Sequence, residues 1–304
     1  MSLASPVFKA MLQGCFQEGM ALKTMGKVEV PLPDDDLSAM KLLTNIIHGR
    51  MSLVPLEIEL ELFAQMAILV DKYQCKEVIR LLPPMWNKKL LNGPSYRDSW
   101  QKIACWVCIA WQFELTDEFF KATKLIQEQA SCSLESLMKP MKYNLPIPKI
   151  ILDELESSRL KGIRKAVKVL DDTLKRYQNA TLNCTSFSDS DYPHMFLNYR
   201  KEYLRVDSDI PSHKKDCDTM ILGSLTRSAI ENGLYPLPKS PYTSWSLQSF
   251  TAKLRLLEAN SLCFKLTQEE EDQHNVIDQL RKSINSVAPG LSLATCKGLI
   301  NKTR

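Results

Sequence analysis

Four side chains in the second half of the sequence are of the types that bind transition metals. They are Cys184, Cys217, Cys263 and His274. Three thiolates and one imidazole can hold a zinc ion in tetrahedral coordination. Structural zinc sites usually take ligands in closely spaced pairs, whereas these residues are widely separated and form no such pair. Cysteine also packs well as a small hydrophobic residue. We therefore expect these cysteines to be packed in a core, and we expect the protein to bind no metal and no cofactor.

A second thiol pair, Cys105 and Cys108, has the C-x-x-C spacing of zinc ribbons and of redox proteins. Both cysteines lie in the apolar segment 103–111, which has the pattern of a helix. No second pair follows at zinc-ribbon spacing, and no β-α-β pattern surrounds the segment. We interpret Cys105 and Cys108 as buried structural thiols.

The residues that could catalyse a reaction do not form a recognisable set. The sequence has 10 glycines but neither of the glycine-rich phosphate-binding patterns. Ser136 and Lys139 fit a bare S-x-x-K pattern without its companion motifs. No nucleophile and base are arranged as in known hydrolases around any of the histidines. These histidines are His48, His194, His213 and His274. We expect a protein that is not an enzyme.

Length and composition indicate an ordinary folded chain. Its 304 residues are enough for about two domains. Hydrophobic residues make up 44% and charged residues 24%, as in soluble globular proteins. The formal net charge of +4 comes from 39 basic and 35 acidic residues, and no long block of like charge occurs. Composition therefore does not indicate nucleic-acid binding.

Cysteine usage and hydropathy bear on location. The nine cysteines are scattered and odd in number, and the first residues lack the pattern of a secretory signal. The longest apolar run, 103–111, is less than half of the roughly 20 residues that a membrane-spanning helix requires. We expect a protein of the cytosol or the nucleus that does not associate with membranes.

Most of the chain repeats apolar residues with the 3.6-residue period of an amphipathic helix. One helix follows the acidic run Asp34-Asp35-Asp36, which suits a helix N-terminus, and ends at Gly49. Proline pairs and polar segments separate the helices. The other predicted helices cover residues 5–12, 57–73, 75–82, 100–111, 116–130, 150–177, 218–232, 246–258 and 269–287.

One short segment has a different period. Val28, Val30 and Leu32 alternate with polar residues or proline, which predicts a β-strand over residues 28–32. Residues 178–215 are polar and weakly patterned, which predicts an irregular connection. The predicted fold class is mainly α, with an α+β part at the N-terminus.

Four segments occur in the order and spacing typical of one domain family. They are residues 5–11 (SPVFKAM), 28–32 (VEVPL), 39–43 (AMKLL) and 69–75 (LVDKYQC). They resemble the BTB/POZ domain. Residues 217–225 and 242–247 resemble recurring segments of the helical C-terminal extension in fungal BTB proteins. The resemblance implies a partial BTB/POZ domain over residues 1–92, a helical continuation over 93–139 and a helical extension over 140–304.

The resemblance also implies a departure from the family. BTB/POZ domains open with a β-hairpin and a first helix that precede the segment matched here by residues 5–11. That helix carries much of the homodimer contact in the family. We expect a domain without this front part, whose exposed apolar edge is a site for self-association or for another partner.

One motif within the resemblance points to a partner. BTB adaptors of cullin-type ubiquitin ligases contact the cullin through a hydrophobic-x-Glu triplet, which Phe16-Gln17-Glu18 matches in type and place. Gly14 and Gly19 flank the triplet and are predicted to end helices. The same residue types also occur at helix ends for packing and solubility alone. The predicted partner-binding residues are Phe16 and Glu18.

The expected function is protein–protein interaction, with substrate adaptor of a cullin-type ubiquitin ligase as the leading hypothesis. One alternative is a nuclear, transcription-associated BTB regulator, for which we would expect zinc fingers or a basic helix. Another alternative is a degenerate BTB protein with no role in ubiquitin ligation. The sequence does not identify the partner.

Overall fold

The computed structural model describes residues 1–90, 93–138, 144–179, 181–184, 210–262, 274–284 and 290–303. These ranges contain two short 3-10 helices, Met51–Leu53 and Lys76–Ile79. The α-helices are α1 (Pro6–Gln13), α2 (Gln17–Met25), α3 (Leu37–Ile47), α4 (Leu60–Tyr73), α5 (Leu82–Lys89), α6 (Trp100–Phe113), α7 (Thr116–Gln129), α8 (Leu134–Met138), α9 (Lys149–Gln178), α10 (Ile210–Glu231), α11 (Leu247–Leu254), α12 (Val276–Ile284) and α13 (Leu293–Thr303).

The mainly helical fold class is confirmed, but the predicted strand is wrong. Residues 28–32 form an irregular link between α2 and α3, and the described part of the chain contains no strand at all. Val28, Val30 and Leu32 are half-buried while the residues between them are exposed. The alternation of apolar and polar residues therefore reflects the partial burial of one side of the link. A strand needs a neighbour to satisfy its backbone hydrogen bonds, and the described residues supply none.

The chain divides into two compact units. The first contains Met1–Gln127, Ser133–Glu156 and Pro289–Arg304, and the second contains Glu128–Cys132 and Ser157–Ala288. The sequence-based boundaries at residues 92 and 139 stay predictions. No helix in the described ranges is both long enough and apolar enough to cross a membrane.

Helix α4 forms the centre of the first unit. It packs against α3 and α6, and eight of its 14 residues are buried. Its Phe63 ring stacks on Phe113 at a centroid distance of 5.3 Å and meets the edge of Trp86 at 5.7 Å. Burying each large side chain of this kind contributes roughly 1.5–3 kcal/mol. The predicted helix over residues 57–73 thus corresponds to the central helix of this unit.

Pro83 and Pro84 lie at the start of helix α5, whereas we predicted that they would end a helix. We expected a helix over residues 75–82 that the prolines would end, but only the short 3-10 helix Lys76–Ile79 forms there. The two prolines instead lie in the first turn of α5. The backbone N–H groups of a first turn have no partner within the helix, so a proline there loses no hydrogen bond.

Among the described residues, four helices supply most of the core of the second unit. Helix α10 buries every fourth residue along one face, and α9 buries residues spaced by three and four. The α10 residues are Cys217, Ile221, Leu225 and Ala229, and the α9 residues include Ile163, Ala166, Leu170 and Leu174. This core also includes Leu247, Phe250 and Leu254 of α11, Val276 and Leu280 of α12, and the residues Cys184, Leu234, Tyr242 and Leu257 between helices. Helix α10 begins at Ile210, inside the predicted irregular segment 178–215, most of which lies outside the described residues.

Candidate functional site

The start of α1 is held against the end of α4 by a buried serine. The Ser5 hydroxyl accepts a hydrogen bond from the Phe8 N–H at 3.1 Å, which caps the helix, and donates to the Tyr73 carbonyl at 2.5 Å. Phe8 is buried and its ring stacks on the Tyr73 ring at 4.4 Å. The inner face of α1 is therefore fixed to the core of the first unit.

Tyr73 also makes a hydrogen bond through its side chain. Its hydroxyl donates to Asp35, which also accepts a hydrogen bond from the Lys72 ammonium group at 2.6 Å. Burial, together with the hydrogen bond to Asp35, raises the pKa of Tyr73 well above its ordinary value. The phenol is therefore neutral at physiological pH and acts as a hydrogen-bond donor that links the end of α4 to the segment before α3.

The turn from α1 to α2 is made by two glycines with different roles. Gly14 ends α1, as predicted, and its N–H donates to the Ala10 carbonyl at 2.9 Å. Gly19 does not end a helix, because it lies buried in the first turn of α2. A Cβ atom on Gly19 would lie only 2.8 Å from the Gly14 carbonyl oxygen. Gly19 thus permits a close approach of α2 to the end of α1, which the sequence pattern did not show.

Phe16 and Glu18 lie on the outside of this turn, which we call the α1–α2 corner (residues 5–25). Phe16 is the N-cap of α2 and 60% of its surface is exposed, so it is not a core residue. Glu18 is half-buried in the first turn of α2, where a carboxylate interacts favourably with the helix dipole.

A groove of about 490 Å³ adjoins the two residues. Its walls are the α1 side chains Pro6, Val7, Ala10 and Met11, together with Phe16, Glu18 and Gln74. The groove is mostly apolar, and its volume lies in the range of pockets that accept ligand or side-chain groups. The corner thus offers an exposed aromatic ring, an apolar groove and one carboxylate beside a helix that is packed against α4.

The C-x-x-C pair lies inside α6 as expected. Cys105 and Cys108 are both buried among apolar neighbours. Burial raises the pKa of Cys105 to about 11 and raises that of Cys108 further. Thiols with such raised pKa values are poor nucleophiles at neutral pH. The described residues give this pair no histidine or acidic ligand in a metal-binding cluster.

Three of the four candidate metal ligands meet in the second unit. Cys184 lies just after α9, Cys217 in α10 and His274 just before α12. The Sγ atoms and a ring nitrogen of these residues all lie within 4.8 Å of one another, and the distance from Cys217 Sγ to His274 Nε2 is 3.4 Å. Both cysteines are buried, while His274 is partly exposed. Cys263, the fourth candidate, lies outside the described residues.

The segment that carries Cys184 is held by hydrogen bonds from Asn183 to α10 and to the end of α9. The Asn183 N–H donates to Asp218 Oδ2 at 2.7 Å, and the Asn183 side-chain amide donates to the Arg176 carbonyl at 2.9 Å. The other Asp218 oxygen is buried and has no hydrogen-bond partner among the described residues. Cys184 is therefore held close to α10 by its neighbour in sequence. No local sequence pattern could have indicated this proximity.

The other residues considered for catalysis are not assembled by the structure. His48 is exposed at the end of α3. Ser136 is exposed in α8, where its hydroxyl lies 2.8 Å from that of Ser133. Lys139 and His194 lie outside the described residues.

Comparison of the chain with protein-family models, with curated proteins and with solved structures finds no match.

Proposed function

We propose that this protein is a protein-interaction module of the cytosol or nucleus that binds its partner through the α1–α2 corner. The resemblance to BTB adaptors makes the N-terminal region of a cullin the first partner to test. This partner would place the protein among the substrate adaptors of ubiquitin ligases. The observation that carries the proposal is the 60% exposure of Phe16 beside an apolar groove.

The energetics of interfaces favour Phe16 as the anchor of such a contact. Aromatic side chains that become buried at the centre of an interface contribute a large part of the binding free energy. Anchors of this kind bind best when they are held rigidly before the partner arrives. Ser5 and Phe8 fix α1 to the core, and the contact at Gly19 fixes α2 to α1. The corner therefore loses little conformational entropy on binding.

Glu18 supplies the charge at the rim of the same surface. It lies two residues after Phe16 and lines the same groove. Charged groups at an interface rim mainly affect the association rate and its salt dependence. Replacing Glu18 with Gln should slow association and reduce the salt dependence of binding, with little effect on folding.

The test is a titration of the purified protein with the N-terminal region of a cullin, followed by calorimetry. Phe16→Ala should weaken binding by about 2 kcal/mol or more, which is about 30-fold in Kd. Leu53→Ala is the matched control, because Leu53 has the same 60% exposure but lies in the 3-10 helix Met51–Leu53. This control should bind as the unchanged protein does.

A thermal melt separates a binding defect from a folding defect. Phe16→Ala should leave the melting temperature nearly unchanged, because Phe16 is mostly exposed. Phe8→Ala, on the buried face of the neighbouring helix α1, should destabilise the fold by about 3–5 kcal/mol. Unchanged binding by the Phe16 variant would contradict the proposal, as would a loss of binding accompanied by a melting temperature as low as that of the Phe8 variant.

A further inference from the structure

We infer that Cys184, Cys217 and His274 bind one zinc ion in the core of the second unit. The inference is independent of the proposed partner surface, which lies in the first unit. It also reverses our expectation that these cysteines only pack. That expectation depended on their wide spacing in the sequence, and the structure brings three of the ligands together despite it.

The distances suit a tetrahedral ion. With Zn–S bonds of about 2.3 Å and Zn–N bonds of about 2.05 Å, tetrahedral angles place sulfur and nitrogen ligands about 3.6 Å apart and two sulfurs about 3.8 Å apart. The distance from Cys217 Sγ to His274 Nε2 is 3.4 Å, and no two ligand atoms of the cluster are more than 4.8 Å apart. Shifts of well under 1.5 Å would bring all three atoms to bonding distance of one ion.

The ligand chemistry selects the class of metal. Thiolates and imidazole favour zinc and other borderline or soft metals, whereas magnesium and calcium require oxygen ligands. Both cysteines are buried, which limits access of solvent or substrate. Three protein ligands leave one tetrahedral position for a water molecule or a further ligand, and the burial of both cysteines makes stabilisation of the fold the expected role of the ion.

The arrangement differs from ordinary packing of cysteines. Cys105 and Cys108 show the ordinary case, since they are buried on one helix and belong to no group of possible metal ligands in the described part of the chain. In the cluster of Cys184, Cys217 and His274, a polar imidazole from a distant segment instead lies 3.4 Å from a fully buried thiol. Apolar packing alone does not favour an imidazole at this place, whereas imidazole is a common zinc ligand.

A metal at this place would connect three segments that are distant in sequence. The ligands come from the chain after α9, from the middle of α10 and from the residue pair before α12. A link between distant segments removes more freedom from the unfolded chain than a link within one helix does. Because ligands are assembled only in the folded protein, the binding energy of the ion adds to the stability of the second unit.

The direct experiment measures metal in protein purified without a histidine tag and without chelators. Elemental analysis should find about one zinc per chain. Cys217→Ser and His274→Ala should each retain less than about a tenth of that amount. Cys108→Ser is the matched control, because Cys108 is an equally buried thiol outside the cluster. This variant should keep its zinc.

A second measurement avoids variants and their effects on folding. Zinc is removed from the unchanged protein with a chelator, and cobalt(II) is then added. Thiolate-to-cobalt absorption in the near ultraviolet should appear, saturate at about one equivalent and disappear when zinc is added. Absence of both zinc in the purified protein and this absorption would overturn the inference. Full zinc content in the Cys217 and His274 variants, or a disulfide between Cys184 and Cys217 found by mass spectrometry, would also overturn it.

Discussion

Replacing Gly19 with Ala tests the geometry of the α1–α2 corner. A Cβ atom at this position would lie 2.8 Å from the carbonyl oxygen of Gly14, 3.1 Å from that of Met11 and 3.2 Å from that of Leu12. All three atoms belong to the backbone and cannot rotate away as a side chain does. Helix α2 would therefore have to move away from α1 by several tenths of an ångström.

The expected magnitude is the difference between two opposing effects. Forcing an extra carbon into a closely packed place costs about 1–3 kcal/mol. Alanine is favoured over glycine inside a helix by about 1 kcal/mol. Gly19→Ala should thus destabilise α2 by about 1 kcal/mol net. Gly223→Ala is the matched control, since Gly223 lies in α10 with no atom near its Cβ position. It should stabilise α10 by up to about 1 kcal/mol.

Hydrogen exchange followed by mass spectrometry measures both effects locally, which suits a chain with two compact units. A change of about 1 kcal/mol corresponds to a roughly fivefold change in exchange rate. Amides of α2 should exchange about fivefold faster in the Gly19 variant, and those of α10 up to about fivefold slower in the Gly223 variant. If α2 became more protected, as α10 should, the close approach of α2 to α1 would be refuted.

Two further predictions concern the first unit. Lys76 and Lys297 each contact the Glu114 carboxylate at 2.6 Å, and these hydrogen bonds lower the pKa of Glu114 from 4.5 to about 2. A lowered carboxyl pKa adds stability above pH 4.5 that is lost as the pH falls toward 2. In the Glu114→Gln variant, the denaturant concentration at the unfolding midpoint should therefore change less with pH over this range than in the unchanged protein. Since Glu114 is half exposed, the effect at neutral pH should stay below about 1 kcal/mol. Trp86→Phe removes the hydrogen bond from the indole N–H to the Pro55 carbonyl at 2.9 Å and leaves a cavity, so urea unfolding should show a loss of about 2 kcal/mol or more.

Most of the helices could be predicted from the sequence because their causes are local, whereas α2, α5, α8 and α13 were not predicted. Apolar residues at helical spacing, a capping serine before Pro6 and the acidic start of α3 each act within a few residues. The predicted helix over residues 150–177 agrees with α9 to within one residue at each end. The exposure of Phe16 follows from its place at a helix boundary, but only the packing of α1 on α4 shows which side of the corner faces solvent.

Three features depended on contacts between distant residues, and the sequence could not determine them. Residues 28–32 have a strand-like alternation, yet a strand forms only if another strand pairs with it. The requirement for glycine at residue 19 arises from carbonyl groups of the preceding helix, so it appears only once α2 packs on α1. Cys184, Cys217 and His274 carry no local signal, because a ligand set drawn from three segments exists only after the second unit folds. Local periodicity determined most of the helices, and the packing of those helices determined which side chains meet.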